Sequence, residues 1–411
     1  MDVNEAALKM HKDNQGKLAM INKVDLKNGY DLSLAYTPGV AEPCRRIHEN
    51  KDLSFEYTCR GNMVAVVSDG TRVLGLGNIG PEAAMPVMEG KCVLYKVFGD
   101  IDAVPICLDV TDASKFIETV KYLQPSFAGI NLEDIESPKC YDIEDALKAQ
   151  MDIPVFHDDQ HGTAIAAVAA VIGALRVVKK KIAKVRIIVN GAGAAGTAIV
   201  KLLLNAGATD VIMMNSKGAM YEGMDLARVN RVQLALFKQI NRNKKQGTLA
   251  DIVKGADILI GVSVPGAFTS EIIKSMNHDS IVFSLCNPEP EIGYDDAKAA
   301  GAKVAGTGRS DTPNQVNNVA VFPGIFRGAI DVRARQINEE MKLAAVHAIA
   351  NLIPENELRE DYIIPDVFDP RIAPAVAAAV ARAAIETGVA RITLDPEDVR
   401  AKAIARIKNG K

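Results

Sequence analysis

Two pairs of adjacent acids are the residues whose type and spacing most directly suggest chemistry. Glu133-Asp134 ends Asn131-Leu132-Glu133-Asp134, after the apolar stretch Phe127–Ile130, and Asp158-Asp159 follows His157 and the short run Pro154–Phe156. Carboxylates at the ends of two successive strands converge on the carboxyl edge of a parallel sheet, where α/β proteins bind ligands. Three or four hard oxygen donors with no cysteine among them suit Mg²⁺ or Mn²⁺ rather than zinc. His157 and His161 stand four apart and could imitate a zinc pair. They lack the H-E-x-x-H order, and Gly162-Thr163 reads as the start of the next helix. The plain alternative for the acids is N-capping or solvated charge.

A second constellation is Gly191-Ala192-Gly193-Ala194-Ala195-Gly196. It follows the β-branched run Val185–Val189, opens the helical stretch Thr197–Asn205, and precedes another strand candidate, Val211–Met214. That is the setting of a dinucleotide-binding turn. Gly191 allows the tight turn, Gly193 lets backbone approach a pyrophosphate, and Gly196 permits close helix–strand packing. The helix opening at Ala194-Ala195 turns its N-terminus toward the negative charge. No acid ends the second strand to hold a ribose 2′-hydroxyl; the chain there reads Asn215-Ser216-Lys217. Without a carboxylate to repel a 2′-phosphate, the reading leans to NADP over NAD, although Lys217 could be a plain surface lysine.

These groups need a scaffold. Thr37-Pro38-Gly39 reads as a helix start, with Thr37 as N-cap and Pro38 in the first turn. Met63–Val67, Val93–Val97 and Val104–Leu108 read as strands of a first α/β unit. Beyond Ile153, the strand candidates Val185–Val189, Val211–Met214, Ile258–Val262, Ile281–Leu285 and Val304–Ala305 alternate with helices, as in a doubly wound parallel sheet. Arg333–Leu352 and Ala373–Thr387 read as late helices. The fold expected is α/β: an N-terminal substrate domain over residues 1–157, then a Rossmann-like NAD(P)-binding domain over 158–411 with C-terminal helices. The helices after about residue 370 are free to pack on either domain.

The chain of 411 residues carries 48 Lys and Arg against 51 Asp and Glu, a net charge of −3, which argues against a nucleic-acid or membrane-surface binder. With 48% hydrophobic and 24% charged residues it has the composition of a globular protein with a full core. Cys44, Cys59, Cys92, Cys107, Cys140 and Cys286 are scattered and form neither a zinc ribbon nor a disulfide framework. The first residues have no apolar core of a signal peptide, and the Ala-rich Thr163–Val178 is too short and mixed to span a bilayer. The expected location is the cytoplasm.

Several segments together resemble malic enzymes of the short, single-module microbial type. They are Tyr36-Thr-Pro-Gly-Val40, Gly75-Leu-Gly-Asn-Ile-Gly80, Glu89-Gly-Lys91, Asn131–Asp134, Phe156–Asp159, Gly191–Gly196, Cys286-Asn-Pro288 and Asn314–Asn318. They run in the family's order. The resemblance implies oxidative decarboxylation of (S)-malate to pyruvate and CO₂ with reduction of a nicotinamide cofactor. It implies Glu133, Asp134 and Asp159 as metal ligands, Lys91 as general base with Asp158 beside it, and Tyr36 as general acid. Asn287 and Asn318 match substrate-contacting positions, Asn287 also bordering the cofactor. Arg72 matches the substrate-carboxylate arginine of larger relatives, though the short enzymes often lack it. A homodimer or higher homo-oligomer is expected, with an active site that can draw on both subunits.

A lysine serves as base only if its pKa falls from about 10.4 toward the working pH. Such a site would remove the C2 hydroxyl proton at Lys91 and return a proton to C3 from Tyr36, with Asn287 and Asn318 holding substrate oxygens. Cys92, beside Lys91, would make the site thiol-sensitive if exposed. Two other readings remain at this point: a non-decarboxylating dehydrogenase without a metal, and a silent protein that keeps only the dinucleotide fold. The presence of Lys91, Tyr36 and the full acidic set argues against the second.

Overall fold

Ten strands form two sheets in the computed structural model, which describes residues 2–227 and 229–409. The first sheet holds β1 (Met63–Ser68), β2 (Asp102–Cys107), β3 (Gly129–Leu132) and β4 (Val155–His157), all parallel, in the order β2-β1-β3-β4. The second holds β5 (Arg186–Asn190), β6 (Asp210–Asn215), β7 (Gly218–Ala219), β8 (Ile258–Gly261), β9 (Ile281–Ser284) and β10 (Val304–Thr307), in the order β10-β9-β8-β5-β6-β7. It is parallel except for β7, which pairs antiparallel with β6 through a tight turn. β8, β9 and β10 are buried on both faces, which is why they read as unbroken apolar runs.

The α/β reading holds, with local corrections. Val93–Val97 is not a strand; it belongs to the helix Pro81–Gly99. Read over a longer window, the buried positions Ala84, Met88, Lys91, Cys92, Tyr95 and Gly99 recur at helical spacing, so the five-residue apolar run misled. Thr37 caps no helix: a short helix ends at Ala35, a turn covers Thr37–Val40, and the next helix starts at Ala41. The late helix expected from Arg333 begins at Glu339, where Asn338 supplies the N-cap, and the helix after the glycine turn begins at Ala194 rather than Thr197.

The helix Asp158–Val177 ties the two sheets together. It leaves β4 of the first sheet, and its alanines and valines join one continuous core with β1, β5 and the helices Ala194–Asn205 and Glu339–Ala350. Long and apolar as it is, it is mostly buried within the protein. Gly173 lets it approach Ile363 closely; a Cβ there would lie 2.1 Å from that residue's carbonyl oxygen. The C-terminal chain returns to the first sheet's side. The helix Pro396–Asn409 packs on Pro81–Gly99, and Arg391 bonds Asp52 and the Asp152 carbonyl. The first fifty residues are held far less: no residue of the helices Val3–Asn14, Gly29–Ala35 and Ala41–Glu49 is buried.

Candidate active site

The acidic pairs converge because β3 and β4 are neighbours in register, Leu132 opposite His157. Glu133 and Asp134 leave the end of β3, the latter with a left-handed φ of 55°. Asp158 and Asp159 do not lie in a loop before Gly162. They form the first turn of the helix Asp158–Val177, which His157 caps by accepting the Gln160 N–H on its ring nitrogen. The glycine that suggested a later start is there for another reason: a Cβ at Gly162 would sit 1.9 Å from Asp158 Oδ1. Carboxylates in a first helical turn also complement the helix dipole.

Lys91 reaches this corner from the buried face of Pro81–Gly99. Its Nζ donates to Glu133 Oε1 at 3.0 Å and to Asp158 Oδ2, and stands 4.0 Å over the Phe322 ring. Asp158 also accepts from Asn318 Nδ2 at 2.5 Å. Four of the expected residues, Lys91, Glu133, Asp158 and Asn318, from widely separated segments, thus form one hydrogen-bonded unit. Potential ligand oxygens of Glu133, Asp134 and Asp159 lie within 4.8 Å of one another. The Asp134 backbone N–H donates to Asp159 Oδ2 at 2.8 Å, while Asp134 Oδ2 is buried with no hydrogen-bond partner. An orphaned buried carboxylate oxygen is costly, and a hard divalent cation is the partner this donor set fits.

The electrostatics agree. Burial, then Asp159 and Glu133, push Asp134 up to about 9, and burial with Glu133 holds Asp158 at about 8 against the pull of Lys91. Burial also raises Glu133 and Asp159, again against Lys91. The protein's own groups do not lower Lys91, and the expected fall rests on a divalent cation beside it. Burial works against its charge, but Asp158 and then Glu133 outweigh it, and the ammonium is held above the ordinary lysine range. Cys92 is buried and its thiol pushed up to about 12, chiefly by burial, so it offers no reactive thiolate.

Around this unit the remaining expected residues divide. The Arg72 backbone N–H donates to the Asp134 carbonyl at 3.0 Å, and its exposed guanidinium is near enough to pull Asp159 down. The Gly75 loop meets the Asn287 loop, where a Cβ at Gly75 would lie 3.1 Å from the Asn287 carbonyl oxygen. Asn287 is exposed at that meeting of the two sheets. Tyr36 is not in the cluster: it is 68% exposed at the end of the helix Gly29–Ala35, and its hydroxyl bonds no described residue.

The glycine turn behaves as its spacing requires. Gly191 has φ 128°, and a Cβ there would lie 2.4 Å from the Val262 carbonyl oxygen; at Gly196 it would meet the Gly191 carbonyl oxygen at 1.8 Å. Nothing lies within 4 Å of a Cβ at Gly193, which leaves that backbone open above Ala194 and Ala195. Asn215 ends β6 and accepts the Lys217 N–H at 2.9 Å, presenting Ser216 and Lys217 to solvent on the adjacent turn.

Sequence reasoning missed several supporting groups. Tyr95 donates to Asn131 Oδ1 at 2.7 Å, and Asn131 Nδ2 donates to Glu133 Oε2 at 2.8 Å. Tyr95 follows Lys91 by four and would have been visible had that stretch been read as helix. Glu144, fully buried, accepts from the His157 N–H, Gln160 Nε2, His161 Nε2 and Lys148 Nζ, and so grips the turn that carries Asp158 and Asp159. His161 is thereby spent on Glu144, and no zinc pair forms with His157.

Residues 15–148 match the family model of the malic enzyme N-terminal domain, and residues 160–385 that of the malic enzyme NAD-binding domain. The bifunctional malic/malolactic enzyme of Bacillus subtilis is 59% identical over 98% of both chains. The NAD-dependent malic enzyme of Geobacillus stearothermophilus is 49% identical over 95% of this chain and 81% of that one. The NADP-dependent malic enzyme of Escherichia coli is 46% identical over 97% of this chain and 54% of its own length. The crystal structure of a malic enzyme from Pyrococcus horikoshii superposes with a TM-score of 0.95 at 46% identity, covering 99% and 96% of the two chains.

Proposed function

The chain belongs to the malic enzyme family, and from that premise we propose that it oxidises and decarboxylates (S)-malate to pyruvate and CO₂ while reducing NAD(P). The observation that supports this most is the buried Lys91–Asp158–Asn318 unit beside the three carboxylates Glu133, Asp134 and Asp159. Those three would hold Mg²⁺ or Mn²⁺, which when bound polarises the C2 oxygen and stabilises the enolate charge. Gly191, Gly193 and Gly196 at the helix opening would hold the pyrophosphate of NAD(P), which when bound would supply the acceptor for the C2 hydride. A malate carboxylate is assigned to Arg72, and Asn287 and Asn318 would hydrogen-bond substrate oxygens.

Lys91 takes the C2 hydroxyl proton. Protonated as it stands, it becomes a base once Glu133 is committed to a cation and Asp158 is its only close carboxylate, because the charge favouring the ammonium is then reduced. The ammonium proton passes to Asp158, whose carboxyl burial holds at about 8, and the neutral amine then takes the proton from C2–OH. When the C3–C4 bond breaks and CO₂ leaves, the enolate is protonated at C3 by Tyr36. That hydroxyl lies on an arm with much exposed apolar surface, including Met20 at 95% and Ile21 at 82%. Such surface calls for cover, and we assign it to a second copy in a homodimer, whose packing brings Tyr36 to a catalytic centre. The domain division is placed between β4 and the helix Asp158–Val177.

The test follows absorbance at 340 nm with (S)-malate and Mn²⁺, with NADP and NAD in parallel, with and without EDTA, and assays pyruvate. EDTA-sensitive reduction yielding pyruvate supports the reading, and a higher rate with NADP supports binding of a 2′-phosphate by Ser216 and Lys217. Reduction indifferent to EDTA that leaves oxaloacetate overturns it. Lactate accumulating in the same mixture would extend the activity to the malolactic conversion for which the Bacillus subtilis relative is named.

A further inference from the structure

One buried carboxylate has no part in the chemistry derived above. Glu291, beyond the end of β9, is fully buried, and among the described residues it pairs with no lysine, arginine or histidine. Its Oε1 accepts the Ser263 backbone N–H at 2.6 Å and the Ser263 hydroxyl at 3.2 Å, and its Oε2 accepts the Cys286 N–H at 3.1 Å. Those donors stand just past the ends of β8 and β9. Asn190, the last residue of β5, donates from Nδ2 to the Ser263 hydroxyl at 2.9 Å. One chain of bonds therefore crosses the carboxyl ends of three adjacent strands. Gly261 at the end of β8 makes room for it: a Cβ there would lie 2.5 Å from the Glu291 carboxyl carbon. Burying a carboxylate is costly even among good donors. Its two oxygens accept and never donate, which lets one side chain hold backbone N–H groups from two loops at once.

The position of this clasp indicates what it serves. β5 lies between β6 and β8, so the strand order reverses at β5, and a dinucleotide is bound across the crevice at such a point. The glycine turn after β5 suits the pyrophosphate, and Asn215-Ser216-Lys217 at the end of β6 marks the adenosine side. The nicotinamide half then falls to the loops after β8 and β9, the two that Glu291 joins. Val262, next to Ser263, also abuts the turn, since its carbonyl oxygen is what a Cβ at Gly191 would meet. On its far side the β9 loop borders the substrate corner. Burial and then Glu291 raise the Cys286 thiol, while Arg72 pulls it down as it does Asp159.

We propose that Glu291 is a positioning residue for the nicotinamide half of NAD(P), clasping the loops after β8 and β9 into one preformed seat. It acts through Ser263 and Cys286 and touches no reacting atom. The inference rests on the dinucleotide-dependent reading above and adds the carboxylate that shapes the hydride-accepting end. Glutamine at this position has the same size as glutamate. Whichever way its amide turns, however, an NH₂ group faces a backbone N–H and one of the two loops is released.

The test measures binding without turnover. The full chain and its Glu291→Gln variant are titrated calorimetrically with NADPH and with 2′-phospho-ADP-ribose, which keeps the adenosine half and the pyrophosphate but lacks nicotinamide. NADH and ADP-ribose form a parallel pair. Glu291→Gln should weaken NADPH binding by roughly tenfold, as loss of a charge-assisted bond does, and leave the nicotinamide-free ligand within about twofold. Ser263→Ala, which removes only the hydroxyl, should show the same split at a few-fold, and it serves should Glu291→Gln fold poorly. Mn²⁺ affinity, read by electron paramagnetic resonance, should stay at the parent's value in both. Equal weakening of both ligands, or a matching loss of Mn²⁺ affinity, would mark a general structural role and overturn the inference. NADPH and NADH binding unchanged in both variants overturns it as well. A parent chain that binds neither dinucleotide overturns the underlying reading and the inference with it.

Discussion

Replacing Gly162 by alanine should separate activity from stability. An added Cβ would lie 1.9 Å from Asp158 Oδ1 and 3.1 Å from the Asn318 Cβ, and real Cβ contacts essentially never fall under 3.0 Å. The Asp158 carboxylate must therefore move by about 1 Å, away from Lys91 and Asn318, and a misplacement of that size costs roughly 100-fold in rate. The fold should tolerate it. Alanine is favoured over glycine within a helix by about 1 kcal/mol, which offsets part of an overpacking cost of about 1–3 kcal/mol. Steady-state kinetics with malate and a thermal melt give the two readouts. Gly173→Ala in the same helix is the control: its Cβ would meet the Ile363 backbone oxygen at 2.1 Å, remote from the site. It should lose at least as much stability and keep the specific activity of the folded fraction within about twofold. The reasoning fails if Gly162→Ala melts normally with activity within about threefold of the parent, or if Gly173→Ala is equally inactive.

Lys91→Met should lower kcat by roughly 10²- to 10⁴-fold, as loss of a positioned proton-transfer group does, and a near-normal pre-steady-state burst would contradict the base role. Glu144→Gln should weaken Mn²⁺ binding by about tenfold, read by electron paramagnetic resonance, because the turn bearing Asp159 loses its anionic anchor; unchanged affinity would count against that coupling. In the metal-free protein the folded-state values of Asp158, about 8, and Asp134, about 9, lie above the unfolded value near 4. The folded state then binds the extra protons, so this contribution to stability is present below pH ~4 and is lost as pH rises toward 8–9. Melting temperature in EDTA should fall over that range and the gain on adding Mn²⁺ should grow, since the ion takes the deprotonated ligands; a gain independent of pH would refute the assignment.

The acidic corner and the glycine turn were legible because they are carried by short motifs at strand ends. Glu133-Asp134 and Asp158-Asp159 needed only that β3 and β4 be neighbours, and the glycine turn needed only its flanking strand and helix. What sequence could not show depends on packing between distant segments. The Gly162 that looked like a helix start is an accommodation to Asp158. Lys91 keeps its charge because two carboxylates face it, a balance that no local window reveals. Glu144 looks like an ordinary helix glutamate until four donors close on it. Val93–Val97 failed for the opposite reason, since five residues cannot distinguish a buried helix from a strand.

The Lys91–Asp158–Asn318 unit joins groups 67 and 160 residues apart along the chain. No fragment of one sheet contains it, and closing loops of that size is entropically expensive and slow. On dilution from denaturant, helix and sheet signals should therefore recover before catalysis, with competence arriving only when the later half of the chain docks Asn318 onto a corner built by the earlier half. A nascent chain released before Asn318 would carry the whole acidic set and remain inert, so the arrangement also keeps partly made protein from acting on its substrate.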